Sequence, residues 1–334
     1  MYVTSPATGS AERATGLLSR LGAPGARVLG VGAARPQTVL TNAELEVRMD
    51  TSDEWIRART GIEARRVAGP GESVVDLATE AGAKALAHAG VQPSEVDLVL
   101  VATSTLEFAM PQAAPQVAGR LGSKAGGFDV GAACAGFCYA LGVAADAIRA
   151  GSASRVLVIG VDRMTDILDP SDRGTVPIFG DGAGAVVVGA ADVNGIGPMV
   201  ASSDGDRSGL IARAEEAPVL FMDGPAVFRW ATTSLVPYAL EACAAAGISA
   251  TDLTGLVPHQ ANVRIIDALA RSLKLGPDVV VARDIVTSGN TSAASIPMAL
   301  EALVAQDLLP SGGHLLFIGF GSGLTLAAQV VQYP

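Results

Sequence analysis

Arg155-Val156-Leu157-Val158-Ile159-Gly160, an apolar run closing on glycine, returns 159 residues later as His314-Leu315-Leu316-Phe317-Ile318-Gly319. A second pair keeps nearly the same interval. Ala89-Gly90-Val91-Gln92-Pro93-Ser94-Glu95-Val96-Asp97-Leu98-Val99-Leu100-Val101 shares its helix end, turn and apolar strand with Ala246 to Pro258, at an offset of 157. Two matches at almost one offset mark a duplicated unit. Ala-rich helical stretches (Asp76 to His88, Leu235 to Ala245) alternate with short β-branched runs (Leu98 to Ala102, Ala185 to Val188). That alternation predicts α/β layers. The expected organisation is an N-terminal half over 26–195 and a C-terminal half over 196–334, related by a pseudo-twofold axis. Residues 1–25, rich in Ser, Thr, Ala and Gly, are expected to form a flexible extension.

Composition narrows the class. The chain has 334 residues, 17% charged and 49% apolar, with a net charge of −10 and a mean hydropathy of +0.40. Such values exclude a disordered chain, and the absence of a basic stripe argues against nucleic acid. Cys134, Cys138 and Cys243 make no disulfide framework, which predicts a reducing cytoplasm. Leu308 to Pro334 carries no Asp, Glu, Lys or Arg, long enough for a membrane span. Pro310-Ser311-Gly312-Gly313 and Gly319-Phe320-Gly321-Ser322-Gly323 interrupt it, so two strands joined by a glycine turn are expected instead. Met1 to Gly25 shows no cationic segment followed by an apolar run, and no secretory signal is expected.

The repeat also predicts a meeting of side chains. At offset 159, Asn290 stands opposite Gly131 and Ala293 opposite Cys134, so both segments open the central helix of their half. His259 follows the strand matching Leu98 to Val101, at its C-terminal end, where α/β folds gather ligands. Cys134, His259 and Asn290 are therefore expected to converge between the halves. Locally, Cys134 reads equally as a thiolate stabilised at a helix start and as a buried structural thiol. Cys138, one turn along the same face, reads as a packing residue beside the pocket. His88 and His314 read as solvated and structural. Asn290 reads as a helix cap or as a donor to an enolate oxygen. Gly180-Asp181-Gly182-Ala183-Gly184 lacks the Lys and spacing of a phosphate loop and is expected to be a structural turn.

Three segments carry a resemblance: Asp129-Val130-Gly131-Ala132-Ala133-Cys134-Ala135-Gly136-Phe137, His259-Gln260-Ala261-Asn262-Val263-Arg264-Ile265, and Gly289 to Pro297. With Thr51-Ser52-Asp53-Glu54-Trp55-Ile56 and Arg59-Thr60-Gly61-Ile62, they resemble the β-ketoacyl-acyl-carrier-protein synthase III family over residues 26–333. The resemblance implies a thiolase-like, duplicated αβαβα fold. It implies a ping-pong condensation in which Cys134 takes an acyl group from acyl-CoA. His259 and Asn290 then stabilise the enolate formed as malonyl-carrier protein loses CO2. It further implies an oxyanion hole from the amides of Cys134 and Ser322, with Phe320 nearby, and a CoA site of Trp55, Arg59, Arg173 and Asn262. Met110 and Cys138 would border the acyl pocket, Met110 reaching it from the mate of a homodimer. Arg264 and Arg271 would dock the carrier protein.

The implied partners are acyl-CoA as substrate and malonyl-carrier protein, with no metal, no permanently bound cofactor, no membrane and no nucleic acid. Acetyl-selective relatives carry phenylalanine where Met110 stands, so primers longer than acetyl are expected. A thiolase would carry a second catalytic cysteine within Gly319 to Thr325, and none is there. An acyltransferase of the same fold, moving the acyl group without condensation, is the competing reading. Fatty-acid and polyketide initiation use the same chemistry, and both stay open at this point.

Overall fold

The computed structural model describes residues 21–213 and 218–333. Most of the expected extension, residues 1–20, lies outside them. The chain builds two five-stranded mixed sheets. The first contains β1 (Gly25–Ala34), β2 (Leu98–Ala102), β3 (Gly126–Val130), β4 (Arg155–Arg163) and β5 (Asp181–Ala191). The second contains β6 (Val200–Ser203), β7 (Gly255–Pro258), β8 (Val280–Val281), β9 (His314–Gly321) and β10 (Thr325–Gln332). Spatial order is β1-β5-β4-β2-β3 in one and β6-β10-β9-β7-β8 in the other. The pairing senses also agree, antiparallel, antiparallel, parallel and parallel along both sheets.

The repeat is legible in which face each residue buries. Side chains alternate across a strand. Val156 and Val158 of β4 enter a central core, whereas Leu157 and Ile159 enter an outer one. Their counterparts 159 residues on behave alike: Leu315 and Phe317 face the central core, Leu316 and Ile318 the second outer one. The helices complete five layers. α4 (Gly136–Arg149) and α7 (Ser295–Ala305) lie between the sheets and bury Phe137, Leu141, Ile296 and Leu300 there. On the outer faces, α2 (Val74–Ala89) and α3 (Ala113–Leu121) cover the first sheet. The second is covered by α5 (Gly224–Ala245) and α6 (Val263–Ser272).

Local signals account for the boundaries. α2 begins on a capping box of Ser73 and Asp76 and ends at Gly90, whose φ of 65° closes the last turn. The uncharged C-terminal stretch forms β9 and β10, paired antiparallel. No helix among the described residues is long and apolar enough to cross a membrane. One reading needs correction. Gly180 to Gly184 is not a turn, because Asp181 opens the long strand β5. Its glycines serve packing, since a Cβ on Gly184 would fall 2.6 Å from the Met298 amide nitrogen of α7.

Candidate active site

A glycine from each half lets the other half's turn approach. A Cβ on Gly160, near the end of β4, would fall 2.1 Å from the Ala293 carbonyl oxygen. A Cβ on Gly319 of β9 would fall 2.9 Å from Ala135 Cα and 3.3 Å from the Cys134 carbonyl oxygen. The turns so cradled are Ala133–Ala135, leading into α4, and Ser292–Ala294, leading into α7. Each starts with a non-glycine residue in left-handed backbone, Ala133 (φ 44°) and Ser292 (φ 51°), a conformation that L-residues adopt at some cost.

These turns border a cavity of about 690 Å³ lined by Cys134, His259, Asn290, Phe320 and Ser322. The thiol of the first half and the imidazole and amide of the second thus face one space. His259 follows β7 and is almost wholly buried. Its Nδ1 lies 2.7 Å from the Ser295 hydroxyl, which itself accepts the Gln260 amide N–H at 3.3 Å. The Ser295 hydroxyl can donate its own proton to Nδ1, the arrangement that carries the ring proton on Nε2. Burial pushes the imidazole down to about 3, so the ring is neutral at ordinary pH. Phe320 packs against it edge-on at 5.1 Å. Asn290 accepts the Ser292 amide N–H through Oδ1 at 2.9 Å, which commits its NH2 to the other side. Two neutral donors result, suited to a developing oxyanion.

Cys134 sits in the turn ahead of α4 rather than in its first turn. Burial pushes its thiol up to about 12, so the resting group is a thiol and not the thiolate that a helix start alone would favour. Gly321 stands directly against it, because a Cβ there would lie 2.9 Å from Cys134 Cβ and 3.2 Å from Sγ. Ser322 donates its hydroxyl to the Ile211 carbonyl at 2.7 Å, fixing the turn that follows β9.

At the cavity's rim, the Trp55 ring of α1 (Asp53–Thr60) carries guanidinium groups from Arg59 at 5.4 Å and Arg173 at 5.1 Å. Asn262 caps α6 through the Arg264 amide and donates to the Arg59 carbonyl at 3.0 Å. Arg264 lies over Phe228 at 4.9 Å and lines the cavity, whereas Arg271 is exposed farther along α6, outside the lining.

Neither Cys138, expected to pack, nor Met110, expected at the pocket of a mate, lines the cavity of its own chain. Cys138 is fully buried in the central core, because α4 turns that face toward β9 and β10. Met110 is 85% exposed beside Phe108 at 65%, on a loop outside the cavity. The apolar wall is instead formed by Met164, Ile167, Phe179, Leu220 and Met222. Sequence reasoning also missed Ser292 and Ser295, though both lie in a quoted segment, and Arg213 and Arg229 at the cavity's edge. Arg229 sits where a helix pattern beginning at Leu235 does not reach, since α5 starts at Gly224 and runs through Pro237.

The sequence profile of 3-oxoacyl-[acyl-carrier-protein (ACP)] synthase III matches residues 128–205, and its C-terminal profile matches residues 243–333. The β-ketoacyl-[acyl-carrier-protein] synthase III of Streptomyces lividans is 47% identical over 320 residues, covering 92% of this chain and 94% of that protein. The chain belongs to the β-ketoacyl-[acyl-carrier-protein] synthase III family. The mycobacterial family member of Mycobacterium tuberculosis is 45% identical over 344 residues, covering 99% of both chains. The crystal structure of the priming β-ketosynthase of the R1128 polyketide pathway superposes with a TM-score of 0.93 at 46% identity, covering 95% of this synthase and 98% of that one. The duplicated, five-layered fold is thus the fold of the family.

Proposed function

We propose that this synthase performs the decarboxylative Claisen condensation of a short acyl-CoA primer with malonyl-acyl-carrier protein, initiating fatty-acid or polyketide chains. The observation that carries the proposal is one cavity shared by a thiol and two neutral hydrogen-bond donors. Cys134 Sγ attacks the thioester carbonyl of acyl-CoA, and CoA leaves as the C–S bond breaks. The amides of Cys134 and Ser322 hold the oxyanion of that step. Malonyl-carrier protein then enters, and as its carboxylate departs as CO2 the enolate oxygen is held by His259 Nε2–H and the Asn290 NH2. Neither donor titrates near neutrality, so neither quenches the carbanion. The carbanion attacks the acyl-enzyme, and 3-ketoacyl-carrier protein leaves with Cys134 restored.

Trp55, Arg59, Arg173 and Asn262 would receive the CoA nucleotide, a reading supported by the two guanidinium groups over the Trp55 ring, which suit adenine and phosphate. Arg59, Arg173, Arg213, Arg229 and Arg264 line the cavity of a chain of net charge −10, which supports approach of acidic carrier protein and phosphopantetheine there. The exposed Phe108 and Met110 suit a face covered by a second copy in a homodimer. Residues 26–195 and 196–334 would then be the two duplicated halves of each protomer, working in the cytoplasm.

Incubation with acyl-CoA and malonyl-carrier protein, followed by mass spectrometry of the carrier, tests the reaction class. A 3-ketoacyl-carrier product with release of CO2 supports condensation. Acyl groups transferred to an acceptor without loss of CO2 would instead establish simple acyl transfer.

A further inference from the structure

Cys134 is attached to a hydrogen-bonded chain that the condensation step leaves unused. Its thiol donates to the Ser292 hydroxyl at 3.4 Å, and that hydroxyl bonds the carboxyl group of Asp162. Asp162 is fully buried at the end of β4. Its Oδ1 accepts from the Ser104 amide at 2.7 Å, the Thr105 hydroxyl at 2.9 Å and the Thr103 hydroxyl at 3.1 Å. Its Oδ2 accepts from the Ala293 amide at 3.1 Å. Thr103 Oγ1 accepts the Thr105 amide and Thr105 Oγ1 accepts the Arg163 amide, which leaves each hydroxyl proton available to Asp162. Donors converging on both oxygens favour the carboxylate form of Asp162. Burial nevertheless raises its affinity for a proton above the usual carboxylate range.

We propose that Ser292 and Asp162 form the route by which the Cys134 thiol loses its proton during acyl loading, Ser292 touching the sulfur and Asp162 acting through it as a positioning residue. The inference rests on Cys134 being the acyl acceptor. The ionisable groups facing the thiol are His259, after β7, and Asp162, with Cys138 one turn along α4. His259 offers no lone pair, its Nδ1 being engaged by Ser295, and Cys138 is buried in the core. As Sγ bonds the acyl carbon, the S–H proton passes to Ser292 Oγ and the serine's own proton passes to Asp162. The C–S bond to CoA then breaks, and the relay returns the proton to the leaving thiolate. Acyl-CoA and thiol become acyl-enzyme and CoA-SH, with Asp162 again a carboxylate.

The test compares wild type, Ser292→Ala and Asp162→Asn in three measurements. Loading from acetyl-, propionyl- and butyryl-CoA is followed by intact mass, alkylation of Cys134 by iodoacetamide at fixed pH, and decarboxylation of malonyl-carrier protein. Both variants should load about 100-fold more slowly while decarboxylation persists. Asp162→Asn should meanwhile alkylate faster, because losing a nearby negative charge favours the thiolate. Loading at the wild-type rate overturns the relay, as does an Asp162→Asn protein in which loading and alkylation fall together. A wild type that never loads overturns the assignment of Cys134 itself, and the relay with it.

Discussion

Gly319 of β9 lies against Cys134 as Gly160 of β4 lies against Ala293, and the two pairs are one contact repeated at an interval of 159 residues. Each half supplies the strand on which the other half's turn rests. Cys134 is therefore positioned by the C-terminal half, and the turn beside Asn290 by the N-terminal half. A shared site between duplicated units follows from that exchange, not from either unit alone.

Replacing Gly160 with Ala should destabilise the protein by about 3 kcal/mol, since the new methyl meets backbone that cannot yield as a flexible side chain would. Urea unfolding measures it. A Gly160→Ala protein as stable as wild type would show that the two turns are free to separate, contrary to the packing described.

The buried, neutral His259 gives a pH dependence with a definite sign. Its folded value of about 3 lies below the ordinary imidazole value of 6.5. Above pH 6.5 both states are neutral and the contribution is complete. As pH falls below that, the unfolded chain takes a proton that the folded one refuses, and stability drops by about 1.4 kcal/mol per unit. Between pH 6.5 and 5, His259→Gln should lose roughly 2 kcal/mol less than wild type. Parallel stability curves for the two proteins would refute the assignment. Decarboxylation of malonyl-carrier protein should likewise show no titration near pH 6.5.

Trp55, with two guanidinium groups over its ring, makes a separable prediction. Trp55→Ala should raise KM for acyl-CoA about tenfold through lost stacking and cation contacts, leaving turnover of malonyl-carrier protein intact. Steady-state kinetics with each substrate varied in turn would show it. An unchanged KM for acyl-CoA would move the nucleotide away from this rim.

How much was legible in the sequence depended on what kind of interaction carried it. The α/β duplication and the expected meeting of Cys134, His259 and Asn290 followed from the interval between repeats, because a duplicated chain must bury equivalent faces alike, as Leu157 and Leu316 do, whereas the five-layered arrangement came from the family likeness. Ser292, Ser295 and Asp162 were invisible, since their roles are hydrogen bonds whose partners lie far apart in the chain. Asp181 was hidden by its glycine neighbours, which suggested a turn where close helix packing requires them. Met110 was assigned to the pocket of a mate by likeness alone, and in its own protomer it is exposed.

The central claim is that one thiol receives the primer. Intact-protein mass spectrometry after mixing with acetyl-, propionyl-, butyryl- and isobutyryl-CoA measures it directly. The account predicts a mass gain equal to one acyl group in wild type, mapped to Cys134 by peptide analysis and lost in Cys134→Ala. No gain with any of these thioesters, or a gain that persists in Cys134→Ala, would contradict it.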